Sequence, residues 1–147
     1  PYAVPTFDFT TPAGAVAALQ NPNLAVRHKA WLALMALGQS AVPELEKLWQ
    51  SGQNPRMRAR AFWVLAKMPN GTKYVDAAVK AADPNLRMAG LRAARELKHN
   101  VVGYVAQLVN DPDPQVRREC ALALRHNPAP EAADLWATLA ARHDGRD

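Results

Sequence analysis

Apolar residues recur along this chain at helical spacing within blocks, and the blocks themselves recur about every 30 residues. Four aligned segments anchor the blocks: Asn23-Leu24-Ala25-Val26-Arg27, Asn54-Pro55-Arg56-Met57-Arg58, Asp83-Pro84-Asn85-Leu86-Arg87 and Asp113-Pro114-Gln115-Val116-Arg117. Their arginines stand 31, 29 and 30 residues apart. Four residues before each arginine sits Asn or Asp, the side chain of which can cap a helix by accepting from a first-turn N–H. Proline follows the cap in three of the four segments; at the first helical position it sacrifices no hydrogen bond. Val, Met, Leu and Val precede the arginines. Downstream, a small residue recurs at +3 (Ala30, Ala61, Gly90, Cys120), and Ala, Val or Leu at +6 and +7. At 3.6 residues per turn these columns share one face, and the small +3 residue lets a neighbouring helix come close.

Each such helix is followed by a break: Gly38-Gln39-Ser40, Pro69-Asn70-Gly71-Thr72, Lys98-His99-Asn100 and Asn127-Pro128-Ala129. Second apolar helices are predicted over 41–50, 73–81, 101–109 and 130–142, and Thr11-Pro12 opens a short helix over 13–20. The predicted organisation is an extended segment at 1–10, repeats at 22–50, 53–81, 83–109 and 113–142 within a domain spanning 11–142, and a tail at 143–147. One helical hairpin leaves apolar faces open, whereas stacked hairpins share a core. The expected fold is therefore all-α: an α-solenoid of about four hairpins with an N-terminal capping helix.

The Asx-Pro step, the apolar–Arg pair, the small +3 residue and the Ala/Val-Leu step resemble HEAT repeats over most of the chain. The resemblance implies a ladder of hydrogen bonds between units. Arg27, Arg58, Arg87 and Arg117 would form it, with Asp83 and Asp113 as carboxylate partners; Asn23 and Asn54 depart from aspartate. Repeat four departs at +10, where Asn127 replaces Leu37, Met68 and Leu97, so its first helix is expected to end early. The runs around Val26–Leu34, Pro55–Leu65 and Asp113–Asn127 further resemble the HEAT segment of large planctomycete-type proteins. Those proteins join a dehydrogenase-like β-propeller to a c-type cytochrome. That likeness implies a connector in the periplasm or cell envelope that carries neither catalytic centre.

Composition then narrows the chemistry. The chain has 147 residues with 12 prolines and 7 glycines, and most of the prolines fall at the helix starts and breaks above. It begins at Pro1, read here as the start of an excised piece. No apolar run approaches the length of a membrane-spanning helix. The single cysteine, Cys120, lies in the small-residue column and reads as packing. His28, His99, His126 and His143 form no His-x-x-x-His pair, Cys-x-x-Cys-His is absent, and no nucleophile or phosphate-loop motif occurs. The expectation is a non-catalytic protein without cofactor or metal, contacting other domains of a parent chain or a second copy.

A formal charge of +5 raises an alternative, a basic module that binds nucleic acid. Arg56, Arg58 and Arg60, then Arg87, Arg92 and Arg95, then Arg117, Arg118 and Arg125 would supply it. Four of the arginines belong to the repeat column, and the rest are interleaved with Asp76, Glu96 and Glu119, which weighs against it.

A sharper feature is the outer side of the first helices. Position +5, nearly opposite the core columns, holds Leu32, Trp63, Arg92 and Leu122, while +4 (Trp31, Phe62, Leu91, Ala121) is predicted to line the groove with the next repeat. Leu32, Met35 and Trp63 are the candidate protein-contact patch. The competing reading has 2–10, with Phe7 and Phe9, folding back over it.

Overall fold

The structure, a computed structural model, describes residues 5–143 and 145. Among them all regular structure is helical: α1 (Pro12–Leu19), α2 (Leu24–Leu37), α3 (Val42–Ser51), α4 (Pro55–Lys67), α5 (Thr72–Val79), α6 (Pro84–Glu96), α7 (Val101–Leu108), α8 (Pro114–Leu124) and α9 (Glu131–Ala141). A 3-10 turn, Gly38–Ala41, joins α2 to α3. The fold is all-α, as expected. Positions 1–4, 144, 146 and 147 of the predicted terminal segments lie outside the described residues.

The helix starts follow from local chemistry. Asn23 accepts from the N–H groups of Ala25 and Val26, Asn54 from Arg56, Asp83 from Asn85, and Asp113 from Gln115 and Val116. Thr11 caps α1 through the N–H of Gly14. The ends are equally local. Lys98 takes a φ of 57°, and the His99 N–H reaches back to the Ala94 carbonyl at 2.8 Å, closing α6 in a left-handed cap without glycine. In the fourth repeat His126 takes a φ of 60°. There α8 has 11 residues, against 14 in α2 and 13 in α4 and α6. The polar Asn127 thus coincides with a helix that stops early.

The chain divides at Gly71 and Thr72 into two compact units, a division that falls inside the second predicted repeat. In the first unit α1 packs on α2, α3 and α4, while α4 packs on α2 and α3. Its core is Ala18, Leu19, Ala30, Leu34, Leu45, Ala61, Phe62 and Leu65. In the second, α5 packs on α6, α6 on α7 and α8, and α9 on α7 and α8. Equivalent helices therefore lie side by side within this unit, α6 beside α8 and α7 beside α9, a repeat-like packing.

The small +3 column is buried throughout, with Ala30, Ala61 and Cys120 at 0% exposure. Gly90 shows why it must be small. A Cβ there would lie 2.9 Å from Val79 Cγ1 and 3.0 Å from the Val79 backbone nitrogen, so α5 approaches α6 too closely for a side chain.

Candidate functional site

The column arginines are side-chain clamps on the chain just before their own helices. Arg27 Nη1 donates to the carbonyls of Asn21 and Pro22, Arg87 Nη1 to Ala81 and Ala82, and Arg117 Nη1 to Asp111 and Pro112. Arg58 instead sends Nε to the Trp49 carbonyl at 2.8 Å. Each guanidinium thus satisfies carbonyls at the end of the preceding helix or the turn after it.

The carboxylate partner differs from the one expected. Asp83 and Asp113 face their own helix N-termini as caps, and the bidentate partner of Arg87 is Asp111, at 2.7 Å from Nε and 2.8 Å from Nη2. The hydrogen bond to Asp111, outweighing burial, raises the Arg87 pKa above its ordinary value. Positions equivalent to Asp111, six before each column arginine, hold Asn21, Gly52 and Ala81, none of which carries a carboxylate. Spacing from the arginine column, taken with residue type, was the available signal for Asp111.

Other arginines join helices too. Arg92 on α6 places Nε and Nη2 at 2.8 and 2.6 Å from Glu119 Oε2 on α8, and Arg95 donates to the Leu122 carbonyl. Arg60 on α4 donates to the carbonyls of Leu19 and Asn21. Burial, followed by the nearby charges of Arg27 and Arg56, lowers the Arg60 pKa. Tyr104 donates to Asp76 at 2.7 Å, joining α7 to α5; burial and that bond push its pKa up to about 12. Burial also pushes the Cys120 thiol up to about 12, holding it protonated in the core.

These contacts predict a contrast within one helix. Arg58→Ala should cost about 1–3 kcal/mol, because it strands the Trp49 carbonyl. Arg56→Ala, on an exposed side chain, should stay within about 0.5 kcal/mol of wild type. Thermal unfolding of the two variants checks this, and equal midpoints would refute the clamp.

Two apolar grooves stand out. The first, of about 320 Å³ in the N-terminal unit, contains Trp63 together with Leu19, Leu24 and Trp31, and with Arg27, His28 and Arg60. Of the candidate patch, Trp63 alone lines it. Leu32 is exposed and Met35 half-buried, but neither borders the groove. Trp63 also meets Phe62 edge-on at 5.9 Å, with Lys67 Nζ 5.8 Å from its ring centroid. Phe7 and Phe9 pair with each other and do not line this groove; Tyr2 lies outside the described residues.

The second groove, about 580 Å³, lies between α8 and α9. Leu122 and Trp136 are each 43% exposed in it. Trp136 falls in the apolar second helix predicted over 130–142; the +5 column, which holds both Leu122 and Trp63, was the signal for this groove. The +4 column divides likewise. Phe62 and Leu91 are fully buried, whereas Trp31 and Ala121 line open grooves.

Among the described residues no group of three or more His, Cys, Asp or Glu side chains is placed to hold a metal ion. None of the described helices is long and apolar enough to cross a membrane. No protein-family model matches the chain, and neither does any curated protein.

Proposed function

We propose that this chain is a HEAT-like α-solenoid module whose role is to hold protein surfaces together, as a non-catalytic scaffold or interdomain connector of a larger protein. One observation carries the reading. Helix α2, LAVRHKAWLALMAL, is apolar at all of its 14 positions except Arg27, His28 and Lys29, yet it buries only Ala30 and Leu34. A helix apolar on nearly all sides is normally buried on nearly all sides. Leu24 at 71% exposure and Leu32 at 50% therefore fit a face that another protein surface covers. The arginine clamps and the side-by-side helices of the C-terminal unit support the solenoid part of the proposal. The planctomycete-type dehydrogenase–cytochrome context remains the specific version, with the chain as its connector.

The test is cross-linking through Lys29 and Lys67, the lysines of α2 and of α4 beside Trp63, in a cell-envelope extract, read by mass spectrometry. Discrete partner cross-links are expected at these lysines. Leu24→Glu with Leu32→Glu should abolish them while leaving the melting curve unchanged. Cross-links scattered over the surface and insensitive to the double variant would overturn the proposal.

One observation favours the nucleic-acid reading: Arg27, Arg56 and Arg60 are close enough for the first two to depress the third. Against it, Arg27 and Arg60 themselves, with Arg58, Arg87, Arg92, Arg95 and Arg117, already donate within the chain. Anisotropy of a labelled random duplex at about 50 mM salt separates the readings, since phosphate contacts would give binding that falls steeply with added salt.

A further inference from the structure

The groove of the C-terminal hairpin combines an apolar lining with cationic side chains. Its floor is Leu122, Leu139, Trp136 and the small residues Ala121 and Ala140, and its borders include Arg118 and Arg125. No carboxylate lines it among the described residues. On one wall Arg118, Leu122 and Arg125 follow i, i+4, i+7 spacing; on the other Trp136, Ala140 and His143 repeat it. The walls present just under two turns, roughly 8–9 Å of helix, with Arg125 and His143 placed just past the ends of α8 and α9. Alanines on facing walls allow a third helix to settle closely.

The same unit supplies the precedent for how such a surface is covered. Helix α6 receives α8 by matching cations to carboxylates and a carbonyl: Arg87 to Asp111 before α8, Arg92 to Glu119, and Arg95 to the Leu122 carbonyl. Arg125 stands eight residues after Arg117, as Arg95 stands eight after Arg87. Leu122 takes the position of Arg92. So α8 repeats toward the groove the kind of face that α6 turns toward α8. Arg118 and Arg125 are exposed and hydrogen-bond to no carboxylate among the described residues.

We propose that the α8–α9 groove binds an acidic amphipathic helix of a partner protein, its apolar face on Leu122 and Trp136 and its carboxylates on Arg118 and Arg125. This rests on the protein-contact reading above and gives the partner its chemistry. Opposite charge fixes the register and speeds encounter, while the apolar floor holds the complex.

The test uses the full chain and two synthetic 18-residue helical peptides. Both carry Leu and Ala on one face; the other face is Glu in one peptide and Lys in the second. Fluorescence anisotropy at low salt should show binding of the Glu peptide alone. Arg118→Glu with Arg125→Glu should weaken it at least tenfold and create binding of the Lys peptide, a charge swap that a fold defect would not produce. Trp136→Ala should weaken both pairings. Equal binding of the two peptides by wild type, no binding of either, or displacement of the Glu peptide by random duplex overturns the proposal. Wild-type dimerisation that Trp136→Ala abolishes would also overturn it, assigning the groove to a second copy. Should the Glu peptide fail while the Lys29 and Lys67 cross-links persist, the scaffold reading stands and the acidic helix falls. Peptide binding with no discrete cross-links reverses that outcome.

Discussion

Arg87→Met is expected to destabilise the C-terminal unit by about 3–5 kcal/mol, the usual cost of removing one partner from a buried ion pair. The Asp111 side chain is only 5% exposed, and it would lose both guanidinium bonds while keeping the N–H of Asp113 at 2.9 Å. The carbonyls of Ala81 and Ala82 would lose the same donor. Arg87 thus joins three things at once: its own approach loop, α6, and the loop that launches α8. The second half of the experiment separates charge from packing. Arg87→Met combined with Asp111→Leu removes the orphaned carboxylate and should recover a large part of the loss. Urea unfolding followed by circular dichroism measures both. A loss below about 1 kcal/mol for the single variant would mean that the pair behaves as a solvated surface bridge.

Phe62→Ala should cost a comparable amount, about 3–5 kcal/mol, by leaving a cavity in the N-terminal unit. Phe62 is the largest of the side chains exposed by less than 2%, and its ring lies 6.4 Å from Trp49 and 5.9 Å from Trp63. Truncation removes its apolar contacts and unsupports both indoles, so near-ultraviolet circular dichroism should also change. Phe62→Leu, nearer in volume, should cost about 1–1.5 kcal/mol. Leu122→Ala, on a side chain already 43% in solvent, should change stability by less than about 0.5 kcal/mol. If Phe62→Ala and Leu122→Ala melt alike, the assignment of one to core and the other to an open groove is wrong.

Arg92 illustrates how packing redefines a residue. By periodicity it occupies the outward +5 column, and its side chain is 54% exposed, yet its guanidinium covers a Glu119 side chain only 4% exposed. The carboxylate is the buried member, so the pair is asymmetric. Removing Arg92 would strand a charge; removing Glu119 would free one into water.

The sequence alone determined where helices begin and where they end. Those outcomes depend on groups within about one turn of each other. An Asn or Asp at the cap reaches an N–H two or three residues on, proline presets its own φ, and Asn127 marks a helix that stops at Leu124. Only the tertiary structure decided which charges meet. Asp83 and Asp113 accept from the first turns of their own helices, so the bidentate contact with Arg87 went to Asp111, 24 residues away. It also decided which apolar faces are covered. Periodicity assigns Phe62, Trp63, Leu122 and Trp136 to faces of their helices, but exposure depends on which other helix arrives. Phe62 is fully buried, whereas Leu122 and Trp136 each remain 43% exposed in a groove bordered by Arg118 and Arg125.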